Sequence, residues 1–224
     1  MAERKRPRRT RERILEHSLV LFNRFGEPHV TTAHIADEMN ISPGNLYYHF
    51  RNKDEIIGEL HAALDAKLAP LFTLPAGRAP GVEDLWFMLH VLFETMWEFR
   101  FFYRDLQELT SRIRRVGIRF AETMRRGEST MVALCRGMVE AGTMHANERE
   151  ISAIAQNVGI VTTYWISFQR TSRPPLGRAT EDGMVMNLDR AVYQVLALIA
   201  PFAVGDARAL IERLGERYLD DQRN

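Results

Sequence analysis

Residues 42–53 read Ser-Pro-Gly-Asn-Leu-Tyr-Tyr-His-Phe-Arg-Asn-Lys, and the chemistry of that run is recognition rather than catalysis. An asparagine amide can hydrogen-bond adenine in two-pronged fashion, and Pro43 and Gly44 beside Asn45 are small enough to come close to base edges. Tyr47, Tyr48 and His49 offer hydroxyl and imidazole donors to phosphate oxygens, and Lys53, at a helix start, adds a full positive charge. Reaction chemistry is missing: there is no Gly-rich phosphate loop, no G-x-S-x-G and no H-E-x-x-H. His17, His29, His34, His49, His61, His90 and His145 lack ligand spacing, so neither a metal nor a cofactor is expected, and an enzyme is not expected. Glu94 and Glu98 lie four apart, the spacing of an ordinary solvated helix face. Cys135, the single cysteine, reads as a packed and inert thiol, with a redox sensor as the competing role.

The elements that must position these groups are helical throughout. Apolar residues recur at helical spacing and no sustained alternation of strand type occurs, so the class is all-α. A first helix is expected from about Thr10, its N-cap, to Phe25, with Ile14, Ser18, Leu21, Phe22 and Phe25 on one face and Gly26 as the stop. Thr31-Thr32 supply caps for a short helix through Met39, and Asn40 suits a left-handed turn. Ser42 is a strong N-cap, with Pro43 at the first helical position of a helix through Phe50. A fourth helix runs from Lys53 through Leu68, with Asp54 and Glu55 in its positive first turn. Pro70, Pro75, Gly77, Pro80 and Gly81 mark a joint. Six more helices are expected near 82–99, 101–112, 114–143, 149–170, 182–200 and 206–220, the last capped by Asp206.

Net charge is +1, but residues 1–53 carry +4 and the remainder −3. The excess sits in Arg4, Lys5, Arg6, Arg8, Arg9, Arg11 and Arg13, opposed only by Glu3 and Glu12, an arm suited to a polyanion. A solvated tail or an anionic membrane surface accounts for such a leader equally well, so its neighbours must decide. Apolar residues at 46% and charged residues at 26% are globular proportions, which excludes disorder and collagen-like readings. No run approaches the ~18 apolar residues of a membrane helix, and no apolar segment follows the basic leader. The expectation is a cytoplasmic protein, neither membrane-spanning nor secreted, in keeping with one cysteine.

Two short helices joined by Met39-Asn40-Ile41-Ser42 make a helix-turn-helix, with an αα corner of an ordinary bundle as the competing reading. Thr31-Thr32, Ile35-Ala36, Ile41-Ser42-Pro43-Gly44, Leu46-Tyr47-Tyr48-His49-Phe50 and Asn52-Lys53 resemble the N-terminal domain of TetR-family bacterial transcriptional regulators, over about residues 10–68. The resemblance implies a homodimer with one DNA-binding head per chain, reading a two-fold, palindromic operator on double-stranded DNA and released by a small ligand. Carried over by position, Thr32 and Lys53 match phosphate-binding residues, and Pro43, Gly44 and Asn45 the base-reading surface. Tyr47, Tyr48 and His49 match groove-wall and phosphate contacts. Ala33 matches a position that in some members bears a long base-reading side chain, a contact its size removes here. The implied organisation is a head at 1–68 with its basic arm and a ligand-binding and dimerisation domain at 69–224.

For the dimer interface the sequence offers two apolar stripes. One carries Ile151, Ile154, Val158, Val161, Trp165 and Phe168, the other Met184, Leu188, Val192, Val195, Ile199 and Phe202. Each stripe has the competing role of facing its own chain's core. Eight of the chain's 21 aromatics fall in residues 86–103, a density that suits either a plain aromatic core or a small-molecule pocket, and the resemblance favours the pocket. Its lining is expected from Trp86, Phe93, Trp97 and Trp165, with His90 as the polar group and a largely apolar or aromatic effector. Residues 70–81 and the fourth helix would transmit the signal to the heads. The function expected is that of a repressor released from its operator by the ligand; two further classes stand beside it, a non-specific or architectural DNA binder relying on the basic arm and a helical small-molecule enzyme.

Overall fold

The structure is a computed structural model that describes residues 7–172 and 188–220; Arg4, Lys5 and Arg6 of the basic arm and Met184 lie outside the described residues. The described chain is helical, with α1 Pro7–Phe25, α2 Thr32–Glu38, α3 Pro43–His49, α4 Lys53–Leu68, α5 Val82–Glu98, α6 Arg100–Arg104, α7 Leu106–Arg112, α8 Arg114–Glu140, α9 Glu148–Ser172, α10 Leu188–Ile199 and α11 Gly205–Asp220. Its extended pairing is confined to a single antiparallel bridge between Met144 and Ala203. Among the described residues no helix is long and apolar enough to cross a membrane.

Local signals account for most of the boundaries. Thr31 caps α2 by accepting from His34 N–H at 3.1 Å, and Ser42 caps α3 by accepting from Asn45 N–H at 3.2 Å. Asn40 adopts φ 52° in the turn between them, and Gly26 at φ 88° ends α1. Three expectations move. Pro7 already belongs to α1, so Thr10 lies inside the helix rather than capping it. The helix expected over 101–112 breaks at Asp105, whose backbone leaves helical conformation at φ −111°, ψ 24°. Asp206 lies within the first turn of α11 rather than capping it.

The chain forms two compact units, residues 1–66 with 99–120, and residues 67–98 with 121–224. The sequence reading assigned 99–120 to the second region; these residues pack with the head. In the first unit Ile14, Phe22, Ile35, Ala36, Leu46, Phe50, Ile56 and Ile57 are buried, together with Phe101 and Phe102 of α6. The rings of Phe22 and Phe101 lie 5.2 Å apart, and the Asn23 side chain accepts from Phe101 N–H at 3.0 Å, satisfying an otherwise orphaned donor at the start of α6.

His61 of α4 is buried in the same unit against Phe102 and Phe120, ring centroids 5.0 and 6.4 Å away, and its Nδ1 has no hydrogen-bond partner. Burial pulls its pKa from 6.5 to about 4, with Asp65 opposing the shift and Arg119 adding to it. As pH falls the unfolded chain takes up the proton first. The neutral imidazole's contribution is therefore complete above about pH 6.5 and lost progressively down to about pH 4, about 3 kcal/mol in all. Denaturant titrations at pH 7 and 4.5 check this: His61→Phe should lose less stability on acidification than the wild type, and an equal loss would assign the effect to other groups.

In the second unit α10 packs against α5, α9 and α11. Leu85, Leu89, Phe93 and Met96 of α5, Ile151, Ile154, Val158 and Trp165 of α9, and Val192, Val195 and Ile199 of α10 are all buried. The Pro/Gly-rich joint is pinned to α8: Thr130 donates to the Phe72 carbonyl at 3.1 Å, and a Cβ at Gly137 would stand 2.5 Å from the Pro80 ring, so only glycine admits that approach. Cys135 is buried in this core, which pushes its thiol up to about 11 and keeps it protonated, a packed residue.

Candidate nucleic-acid interface

The buried side chains Ile35, Ala36, Met39 and Leu46 lock α2 against α3, and this small core turns the opposite faces outward. Pro43, Gly44 and Asn45 are exposed at the N-terminus of α3, and Ala33 is exposed in the first turn of α2. Tyr47 and Tyr48 are 51% and 78% exposed, so neither ring belongs to the core. The Tyr47 hydroxyl and Thr32 Oγ1 are 3.0 Å apart, a bond that ties α3 to the first residue of α2. His49 packs edge-on to Tyr48, with centroids 5.1 Å apart. Of the nine expected contact residues, Ala33, Pro43, Gly44, Asn45, Tyr47 and Tyr48 are exposed, and Thr32 and His49 are half-buried.

Gly44 carries the most information. A Cβ there would meet nothing closer than Ser42 Oγ at 3.9 Å, and its backbone is ordinary helix. Glycine in a helix costs roughly 0.5–1 kcal/mol relative to alanine. Nothing in the chain's own packing requires glycine at this position.

Lys53 does not join this surface. Its Nζ lies 3.0 Å from the Glu27 carbonyl, 3.1 Å from the Val30 carbonyl and 2.8 Å from Glu27 Oε1. An ammonium has three donors, and these three acceptors take them all. In this structure the ammonium expected at a phosphate instead bolts the start of α4 to the connection from α1 to α2. Glu27 itself is 1% exposed and was missed by the sequence reading, as were three arginines of the 99–120 segment that grip the head. Arg112 Nη2 lies 2.8 Å from Glu27 Oε1, Arg104 donates to the Phe22 carbonyl at 2.7 Å, and Arg115 reaches the Glu55 carbonyl at 3.3 Å. Partners so far apart in the chain leave no local pattern to read.

The five expected effector-lining residues differ in their surroundings. Phe93 and Trp165 are buried, and Trp165 Nε1 has no hydrogen-bond partner. Trp86 is half-buried and donates to the Tyr218 hydroxyl. His90, expected as the polar group of a pocket, lies at the surface: it is stacked on Trp86 and is 3.4 Å from Glu94. Trp97 is half-buried. A groove of about 320 Å³ lies between α10 and α11, floored by Leu196 and Ile211 and rimmed by Arg208, Glu212 and Glu216, and none of the five expected ligand residues lines it.

The expected dimer stripes also need correction. Ile154, Val158, Trp165, Val192, Val195 and Ile199 are buried within one chain, and Val161 is half-buried. The side chain of Leu188 lies outside the described residues. Phe168 of the expected stripe is 59% exposed, and with Ile160 and Tyr164, at 53% and 44%, it makes an outward face with residues four apart. Two apolar stripes on one helix look alike to periodicity; which of them faces inward was decided by the packing of α10.

A helix-turn-helix presenting a small polar tip on an otherwise helical body defines a DNA-binding transcriptional regulator, and the comparisons agree. Residues 14–60 match the family described as bacterial regulatory proteins, tetR family, and residues 64–211 match that described as bacterial transcriptional repressor. The chain belongs to the TetR family, in its DNA-binding repressor class. A crystal structure of a TetR-family transcriptional regulator from Marinobacter aquaeolei VT8 is 35% identical over 93% of this chain and 98% of that one, with a TM-score of 0.83. The transcriptional regulator TcmR of Streptomyces glaucescens is 36% identical over 74 residues, and that match spans 33% of each protein's length. A complex of SmeT with triclosan shares the fold at 20% identity and a TM-score of 0.54, over 84% of this chain and 90% of that one.

Proposed function

We propose that the protein is a cytoplasmic, homodimeric repressor that reads a palindromic operator and leaves it on binding an apolar or aromatic small molecule. The observation that carries the DNA-reading part is the exposed Pro43-Gly44-Asn45 tip, whose bare backbone the fold does not need. Thr32, Tyr47, Tyr48 and His49 flank it as phosphate contacts, and Ala33 leaves room for the tip to approach. One head offers few base-reading groups, so two heads are needed for useful discrimination. The outward stripe Ile160, Tyr164 and Phe168 supports pairing through α9. We assign DNA binding to residues 1–68 and effector binding and dimerisation to 69–224.

For the effector, the support is a core that can adapt. Met88, Met96, Met131, Met138 and Met144 are buried, and thioether side chains repack readily around apolar guests. The unpartnered indole N–H of Trp165 supplies a donor inside that core. Ligand binding would favour a spacing of the two heads that no longer matches successive major grooves, lowering operator affinity by the difference in binding between the two states. Triclosan, seen with SmeT, is a first probe for titration of the DNA-bound protein.

The operator surface is tested by two substitutions on a duplex selected from random sequence. Gly44→Ala should leave thermal stability equal or raised, while Asn45→Ala should leave it little changed. Each should weaken binding to the selected site by roughly 1–3 kcal/mol and relax discrimination. Undiminished preference for the selected duplex in both variants would remove base reading from this tip.

A further inference from the structure

We infer that Arg112, on α7, is a positioning residue for operator binding: through the carboxylate it shares with Lys53 it holds the 27–30 connection, and with it the start of α2, in DNA-reading register. The inference rests on the operator-binding reading above and extends it to a residue outside the helix-turn-helix.

Glu27 is the pivot. Its carboxylate is buried at 1% exposure, where an unpaired charge is not tolerated. One oxygen, Oε1, takes both Lys53 Nζ and Arg112 Nη2 at 2.8 Å. Lys53 in turn hydrogen-bonds the carbonyls of Glu27 and Val30, so the backbone of the connection is bolted to the first residue of α4. Val30 immediately precedes Thr31, the N-cap of α2, and Thr32 meets the Tyr47 hydroxyl of α3. Any shift of Glu27 therefore passes through four consecutive fastenings to the face that carries Thr32 and Tyr47. Arg112 is itself steadied from two sides, by Glu108 one turn earlier at 3.4 Å and by Asp54 in the first turn of α4 at 3.6 Å. Arg115 reaches the Glu55 carbonyl of α4 at 3.3 Å, with its guanidinium lying over Gly58. A buried ion triad of this kind is better suited to specifying one arrangement than to adding stability.

The test compares Arg112→Leu, Arg112→Lys and Glu27→Gln with the wild type. Each is measured on a duplex that the wild type selects from random sequence and on a scrambled duplex of the same length, with concentrations corrected for folded fraction. Arg112→Leu should lose about tenfold in affinity for the selected duplex, the scale of one lost base contact, while binding the scrambled duplex as before with an unchanged salt slope. Arg112→Lys, which can still reach Oε1 with one donor, should recover part of the loss. Combining Arg112→Leu with Glu27→Gln should weaken binding no further than the larger single effect. Should Arg112→Leu fail to fold, Glu27→Gln carries the same comparison. A variant that melts earlier yet keeps the full ratio of selected to scrambled binding would overturn the inference, as would a strictly additive double variant. If the wild type itself does not discriminate between the duplexes, the operator-binding reading fails instead.

Discussion

Placing two charges on the outer face of α9, as Tyr164→Glu with Phe168→Glu, should yield a folded monomer that has lost its operator. Both side chains are about half exposed in the single chain, so the substitutions cost the protomer's own core little. In a two-fold interface each subunit would face the other's charges, and like charges across a contact oppose association. Specific DNA binding exceeds non-specific binding by roughly 4–10 kcal/mol, and a monomer keeps only its half-site share, so affinity for the selected duplex should fall about a hundredfold or more. Sedimentation velocity reports the oligomeric state, circular dichroism the helix content, and duplex titration the affinity. Val195→Glu is the contrasting variant. Val195 is fully buried within one chain, and an unpaired charge there should unfold the protein rather than split a dimer. Should the α9 variant remain dimeric with its operator affinity intact, the subunits meet elsewhere.

Lys53→Met should lower stability by about 3 kcal/mol, because it removes one of two cations from a buried carboxylate; Arg112 remains, which keeps the loss at the lower end of the usual range. It should leave the dependence of DNA affinity on salt unchanged. A lysine on a phosphate releases a counterion, and its removal would reduce the slope of log K against log salt by about 0.9 per contact. The two roles therefore separate cleanly. Loss of stability at constant slope identifies the internal bolt, whereas a shallower slope at constant stability means that Lys53 leaves Glu27 for a phosphate when DNA is bound. Chemical denaturation and binding titrations across a salt series provide both numbers on the same protein.

Lys53 also shows where reading from residues alone runs out. Its position at a helix start next to a run of hydroxyl donors pointed to a phosphate, and nothing nearby in the chain pointed to Glu27, 26 residues earlier, or to Arg112, 59 residues later. His90 tells the same story from the other side. Its place among aromatics suggested the polar point of a pocket, but the helix turns it toward Glu94 and solvent. In both cases the residue type was informative and the direction it faces was not.

What the residues determined unaided is local. Ser42 and Pro43, Thr31, Asn40 and Gly26 set the starts and stops of the helix-turn-helix through hydrogen bonds and dihedral preferences spanning no more than a few positions, and the exposed Pro43-Gly44-Asn45 tip follows from them. The family, too, was legible in that stretch. Only the tertiary structure decided which of the two apolar stripes of α9 faces inward, that α6 and α7 pack with the head, and that Glu27 gathers Lys53 and Arg112. Helical periodicity makes a stripe apolar without saying what will cover it, and a buried charge chooses its partners by proximity in space, which the order of residues along the chain does not encode.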